Sequence, residues 1–69
     1  MKEKMRQYKE ALESLYNVSK EIYDFLGQEN EDFDWDSLTD FDNKMLASIN
    51  RYHKGIETHF LNIDYYFRE

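Results

Sequence analysis

Apolar side chains recur along the first part of the chain in alternating steps of four and three: Met1, Met5, Tyr8, Leu12, Leu15, Ile22 and Leu26, with Ser19 as a lapse. This is the spacing of a helix that buries one stripe along a seam. It predicts a first helix over about 2–26, roughly 39 Å long, with Gly27 placed to end it in a left-handed C-cap. A second series runs Leu38, Phe41, Met45, Ile49, Tyr52, Ile56, Phe60, Ile63 and Phe67, predicting a second helix over about 38–67. Ser37 or Thr39 is placed to cap its start, each with an aspartate three residues on (Asp40, Asp42), in the manner of a capping box. Gly55 in its interior marks a close helix approach or a mild kink.

Folding the chain back between the two series pairs Leu26 with Phe41, Ile22 with Met45, Leu15 with Tyr52, Leu12 with Ile56, Tyr8 with Phe60, Met5 with Ile63 and Met1 with Phe67. Each pair of residue numbers sums to 67 or 68, so one antiparallel register serves both helices, and Ser19 falls opposite Ser48 and Ile49. The expected architecture is all-α, a long antiparallel helical hairpin forming a single domain over residues 1–69. Its apolar face is too broad for two helices. Ala11, Val18 and Phe25 flank the first seam on one side, Tyr16 and Tyr23 on the other, and Leu46, Leu61, Tyr65 and Tyr66 lie off the second row. Pairing of two hairpins into a four-helix homodimer would cover this surplus, with Ala11, Tyr16, Val18, Tyr23, Phe25 and Leu46 as the self-association residues.

Composition sharpens this picture. A chain of 69 residues buries only about 60% of its unfolded surface, and domains of this size commonly lean on disulfides, metals or oligomerisation. There is no cysteine, which leaves self-association. An aromatic content of 17% argues against disorder, and the absence of proline with only two glycines favours long helices. No run reaches membrane-spanning length and the first residues hold no apolar core of signal-peptide length, so the expected compartment is the cytoplasm, with no membrane partner.

The formal charge of −6 excludes the basic footprint that direct nucleic-acid binding needs. Its distribution is uneven. Residues 1–27 carry five bases and five acids, and residues 44–69 carry four bases and three acids. Residues 28–43 carry seven acids and no base. The acids are Glu29, Glu31, Asp32, Asp34, Asp36, Asp40 and Asp42, with Phe33, Trp35, Leu38 and Phe41 between them. Two of the acids suit the positive end of the second helix; the others have no evident folding task. As a plain loop, the segment over about 28–37 would be solvated, with Phe33 and Trp35 lying over the open end of the hairpin.

The sharper expectation is that this acidic, aromatic connection is a contact surface. Glu29, Glu31, Asp32, Asp34, Asp36, Asp40 and Asp42 would stand in for nucleic-acid phosphates in the basic groove of another protein, anchored by Phe33 and Trp35. That points to a small inhibitor or regulator, a nucleic-acid mimic of the phage anti-defence, anti-CRISPR or antirepressor type. The alternative is a structural partner module or small subunit that offers its apolar helical face to another chain.

Other chemistry finds little support. Asp32, Asp34, Asp36 and Asp40 match positions 1, 3, 5 and 9 of a calcium loop. Ser37 and Asn43 fail it where glycine and a bidentate glutamate are required. His53 and His59 are six residues apart, about 120° around a helix, so they cannot grip one metal together; both read as structural or surface residues. The serines lie in no nucleophile context and there is no glycine-rich phosphate loop. The expectation is a binding protein with no enzyme activity, no cofactor and no metal.

Overall fold

The computed structural model describes residues 1–68. Two α-helices, α1 (Lys2–Leu26) and α2 (Asp40–Tyr66), fold back on each other as a hairpin, joined by a connection that contains one 3₁₀ turn, Trp35–Ser37. Among the described residues there is no strand. No helix among them is long and apolar enough to cross a membrane. The molecule is a slender rod with extents of 46 × 21 × 16 Å.

The start of α2 shows how local chemistry fixes an element. Thr39 is its N-cap: the Asp42 backbone N–H donates to Thr39 Oγ1 at 3.1 Å, and the Thr39 N–H donates to Asp42 Oδ2 at 3.0 Å. This reciprocal capping box satisfies two backbone donors that the first helical turn leaves unpaired. Leu38 is extended at ψ 137°, so the helix begins at Asp40 rather than at the expected 38. Gly27 departs from expectation: its φ is −84°, a right-handed conformation, and its N–H continues the helix by donating to the Tyr23 carbonyl at 3.1 Å. No described residue has the left-handed φ that a glycine cap would supply. Gly55 has nothing within 4 Å of where a Cβ would stand, so it marks no close approach within the hairpin.

The seam also differs from the expected one. Ser19 meets His53, Tyr16 meets Glu57 and Lys9 meets Asp64. These pairs sum to 72 or 73 where the hydrophobic rows predict 67 or 68, a slip of more than one helical turn. The physical reason lies at mid-seam. His53 is 2% exposed and Ser19 4%, and Ser19 Oγ lies 2.7 Å from His53 Nδ1. The imidazole is stacked between Tyr16 and Tyr23, with ring centroids 5.9 and 4.5 Å away, and Tyr16 stacks in turn on Phe60 at 4.9 Å. Ser19 is therefore the partner of the most deeply buried side chain, and the row on α2 passes through Leu46 and His53 instead of Met45 and Tyr52. Met45, Tyr52 and Phe41, expected in the seam, are exposed. So are Met1, Met5, Tyr8 and Leu15 on α1. Among the described residues Leu12 alone forms a buried apolar core.

Candidate protein-binding surfaces

The hairpin has two unlike faces. One is polar. Lys9 bridges to Glu13 at 3.7 Å and to Asp64 at 3.8 Å, Arg68 joins Asp64 at 2.8 Å, and Lys54 meets Glu57 at 3.9 Å. Tyr16 donates to Glu57 at 3.3 Å, and the Lys54 ammonium lies over the Tyr23 ring. On α1 Lys20 donates to Asp24 at 2.8 Å, and that hydrogen bond and charge raise the Lys20 pKa above its ordinary value. Arg6 pairs with Glu3 one turn away.

The opposite face carries no formal charge over most of its length. On α1 it follows Tyr8, Ala11, Leu15, Val18, Ile22 and Phe25; on α2 it runs from Phe41 through Met45 and Tyr52 to Ile63. The two rows share one face. Ile22 and Phe25 line a groove together with Met45 and Ile49, and at the other end Tyr8 reaches across to a hydrogen bond with His59 Nε2.

Of the six residues expected to mediate self-association, four are used within the hairpin. Tyr16 and Tyr23 clasp His53, Leu46 is half-buried in the seam, and Phe25 packs against the connection. Ala11 and Val18 lie on the charge-free face and are exposed. Beside them stand Leu15, Met45, Tyr52 and Phe41, which the hydrophobic rows had assigned to the seam. Only the true register could have moved them, and the buried Ser19–His53 pair sets it.

The acidic connection is ordered by its own hydrogen bonds. Asn30 Nδ2 donates to the Phe25 carbonyl at 2.7 Å and to the Gln28 carbonyl at 3.1 Å, tying the chain to the end of α1. Ser37 Oγ donates to the Asp34 carbonyl at 2.7 Å across the 3₁₀ turn. Phe33, Trp35 and Phe25 form a three-ring cluster: Phe33 meets Trp35 edge-on at 4.6 Å and Phe25 at 5.1 Å, and Trp35 lies 5.9 Å from Phe25. The cluster closes one end of the hairpin, yet Phe33 stays 39% and Trp35 42% exposed. These rings are fixed in place and open to solvent at once.

The seven acids divide by what they touch. Asp42 belongs to the capping box, and Asp40 stands in the first turn of α2, where a negative charge suits the helix dipole. Glu29, Glu31, Asp32, Asp34 and Asp36 are exposed, and among the described residues no lysine, arginine or histidine nitrogen comes within 4.0 Å of any of the seven. Every ion pair among the described residues lies within or between the helices, or joins α2 to Arg68 just beyond it. The Asp32, Asp34, Asp36 and Asp40 spacing does not draw these side chains around a point: among the described residues there is no group of three or more potential metal ligands. His53 serves the seam and His59 bonds Tyr8, so the histidines stay apart. The chain matches no protein-family model, and neither a curated protein nor a solved structure matches it.

Proposed function

We propose that the chain is an acidic protein-binding inhibitor or regulator that occupies a basic, nucleic-acid-binding surface of another protein, and that two hairpins assemble into a four-helix homodimer to do so. The observation that carries the first reading is the set of carboxylates without cations. Five exposed acids crowd a short connection, no base among the described residues pairs with them, and the half-exposed Phe33 and Trp35 stand between them. Unpaired like charges oppose one another at no gain to folding. Opposite a basic groove they become charge-assisted hydrogen-bond acceptors for the guanidinium and ammonium groups that otherwise hold phosphates. The aromatic rings supply apolar anchor area of the kind that dominates interface energetics. Such association is fast, steered and sensitive to salt. The reading assigns the chain no covalent chemistry and no direct contact with nucleic acid.

The test is capture of nucleic-acid-binding proteins from a lysate on the immobilised chain, with DNA and RNA as competitors. A captured protein should be released by nucleic acid and lost by the Asp32→Lys, Asp34→Lys, Asp36→Lys triple variant, whose circular dichroism should remain helical. Capture that survives about 0.5 M salt undiminished, where charges are screened within about 4 Å, would refute the electrostatic basis.

A further inference from the structure

We infer that the two hairpins pair through the charge-free face and run head to tail, so that the acidic connection of each copy lies beside the basic start of α1 in the other. This rests on the homodimer proposed above and adds to it the face and the direction.

The face follows from what the hairpin leaves uncovered. A globular monomer of 8.5 kDa exposes about 4,700 Å², whereas this chain exposes 5995 Å². Its radius of gyration is 15.1 Å, against about 11 Å for a compact domain of this length. The excess is larger than the roughly 800 Å² that each partner contributes to a standard interface. It is not spread evenly. Besides Leu61, Tyr65 and Tyr66, which are exposed elsewhere, Leu15, Val18, Phe41, Met45 and Tyr52 are all more than half exposed on one face; the charges nearest to it are Asp42, which lines one end of its groove and is held in the capping box, and Arg51, which lies over the Tyr52 ring. A patch this long exceeds what a monomer ordinarily shows to water. A copy of the same face fits it, because two charge-free apolar surfaces meet without stranding any ion.

The direction follows from charge. With the connections at one end, two clusters of five bare acids, Glu29, Glu31, Asp32, Asp34 and Asp36, would adjoin. Turned head to tail, each cluster instead lies at the end of the other copy that carries Lys2 and Lys4, Arg6 and Lys9 being already paired with Glu3, Glu13 and Asp64; two cations beside the five bare acids of the connection leave most of that charge open to a partner. Lys2 and Lys4 form no ion pair among the described residues, and Lys4 lies one turn from Tyr8 on the same side of α1. In this arrangement the two-fold axis crosses the rod near Val18, at mid-length, so that α1 lies on α1 and α2 on α2, and Met45 of one copy comes opposite Ile63 of the other, each about 13–14 Å from the axis along the rod.

The absence of cysteine makes single-cysteine variants of the full chain a clean probe, read beside light scattering of the unaltered protein. Light scattering should give twice the chain mass, and Leu15→Glu should lower the association constant by about tenfold or more, since it buries an unpaired charge. Under mild oxidation Val18→Cys should link to itself. Met45→Cys should not link to itself but should link to Ile63→Cys when the two are mixed. A monomer at all concentrations would overturn the pairing itself. A dimer in which Val18→Cys links to Tyr52→Cys instead of to itself would overturn the direction alone, and one in which none of these pairs links would overturn the face.

Discussion

The Ser19–His53 pair allows the packing argument to be tested quantitatively. Ser19 Oγ and His53 Nδ1 are 2.7 Å apart in the most buried part of the seam, and neither side chain makes another side-chain hydrogen bond among the described residues. Ser19→Ala leaves the imidazole nitrogen unpaired in a dry site, at a cost of about 1–3 kcal/mol. His53→Leu strands the Ser19 hydroxyl at a similar cost and also removes the stacking against Tyr16 and Tyr23, worth about 0.5–1.5 kcal/mol. The double variant has no stranded group, so it should be more stable than the two single losses predict, with a coupling of about 1–3 kcal/mol. A chain of this length has a total stability of roughly 3–10 kcal/mol, so either single change removes a large part of it. Urea titrations followed by far-ultraviolet circular dichroism, at one fixed protein concentration, measure all four proteins. With a slope near 1 kcal/mol per molar, each single variant should lower the midpoint by about 1–3 M. Additivity within about 0.5 kcal/mol would show that the two groups do not depend on each other and would refute the register built on them.

Thr39→Ala removes one half of the capping box and should cost about 1 kcal/mol in the same titration, whereas Ser37→Ala should cost less because Ser37 caps no α-helix. Gly55→Ala should stabilise the protein by about 0.5–1 kcal/mol, since the new methyl meets nothing within 4 Å and helix propensity improves; a raised Tm checks it. Replacing Asp32, Asp34 and Asp36 together by asparagine should raise the midpoint at low salt. Pairs of like charges roughly 7–10 Å apart cost about 0.4–0.6 kcal/mol each in water, and the gain should shrink as added salt screens the parent protein.

Periodicity made the hairpin legible because helical apolar rows report a buried stripe directly, and the Thr39 cap was legible because capping depends on residues three apart in sequence. The register was not. Met45, Ile49, Tyr52 and Ile56 make a row as regular as Leu46, Ile49, His53 and Ile56, and hydropathy favours the first. What selects the second is a hydrogen bond between Ser19 and His53 across the seam, with two tyrosine rings enclosing the imidazole. No one-dimensional pattern encodes such a pairing, and a serine within an apolar row reads as a fault until its partner is known. The same error placed Tyr16 and Tyr23 on an outer surface and hid the exposure of Met45, Tyr52 and Phe41. Within the connection, the charge was plain from composition. The capping role of Asp42 was legible too, but that Asp32, Asp34 and Asp36 meet no cation among the described residues needed three dimensions.

That separation bears on why the acids are there. A connection selected only to join α1 to α2 needs a chain long enough to turn, a cap for α2 and apolar cover for the open end. Asn30, Thr39, Asp42 and the Phe25–Phe33–Trp35 cluster meet those needs. Glu29, Glu31, Asp32, Asp34 and Asp36 serve none of them, and their mutual repulsion works against the compact chain. The helices, by contrast, spend their acids well: Glu3, Glu13, Asp24, Glu57 and Asp64 each pair with a base nearby. Glu10 and Glu21 are the helical exceptions beyond the first turn of α2, each unpaired among the described residues; a chain that pairs most of its helical acids and leaves all of those in the connection without a cation follows two different constraints. Folding accounts for the first. A cationic surface on another molecule accounts for the second, and predicts that removing those acids makes the protein sturdier and the complex weaker.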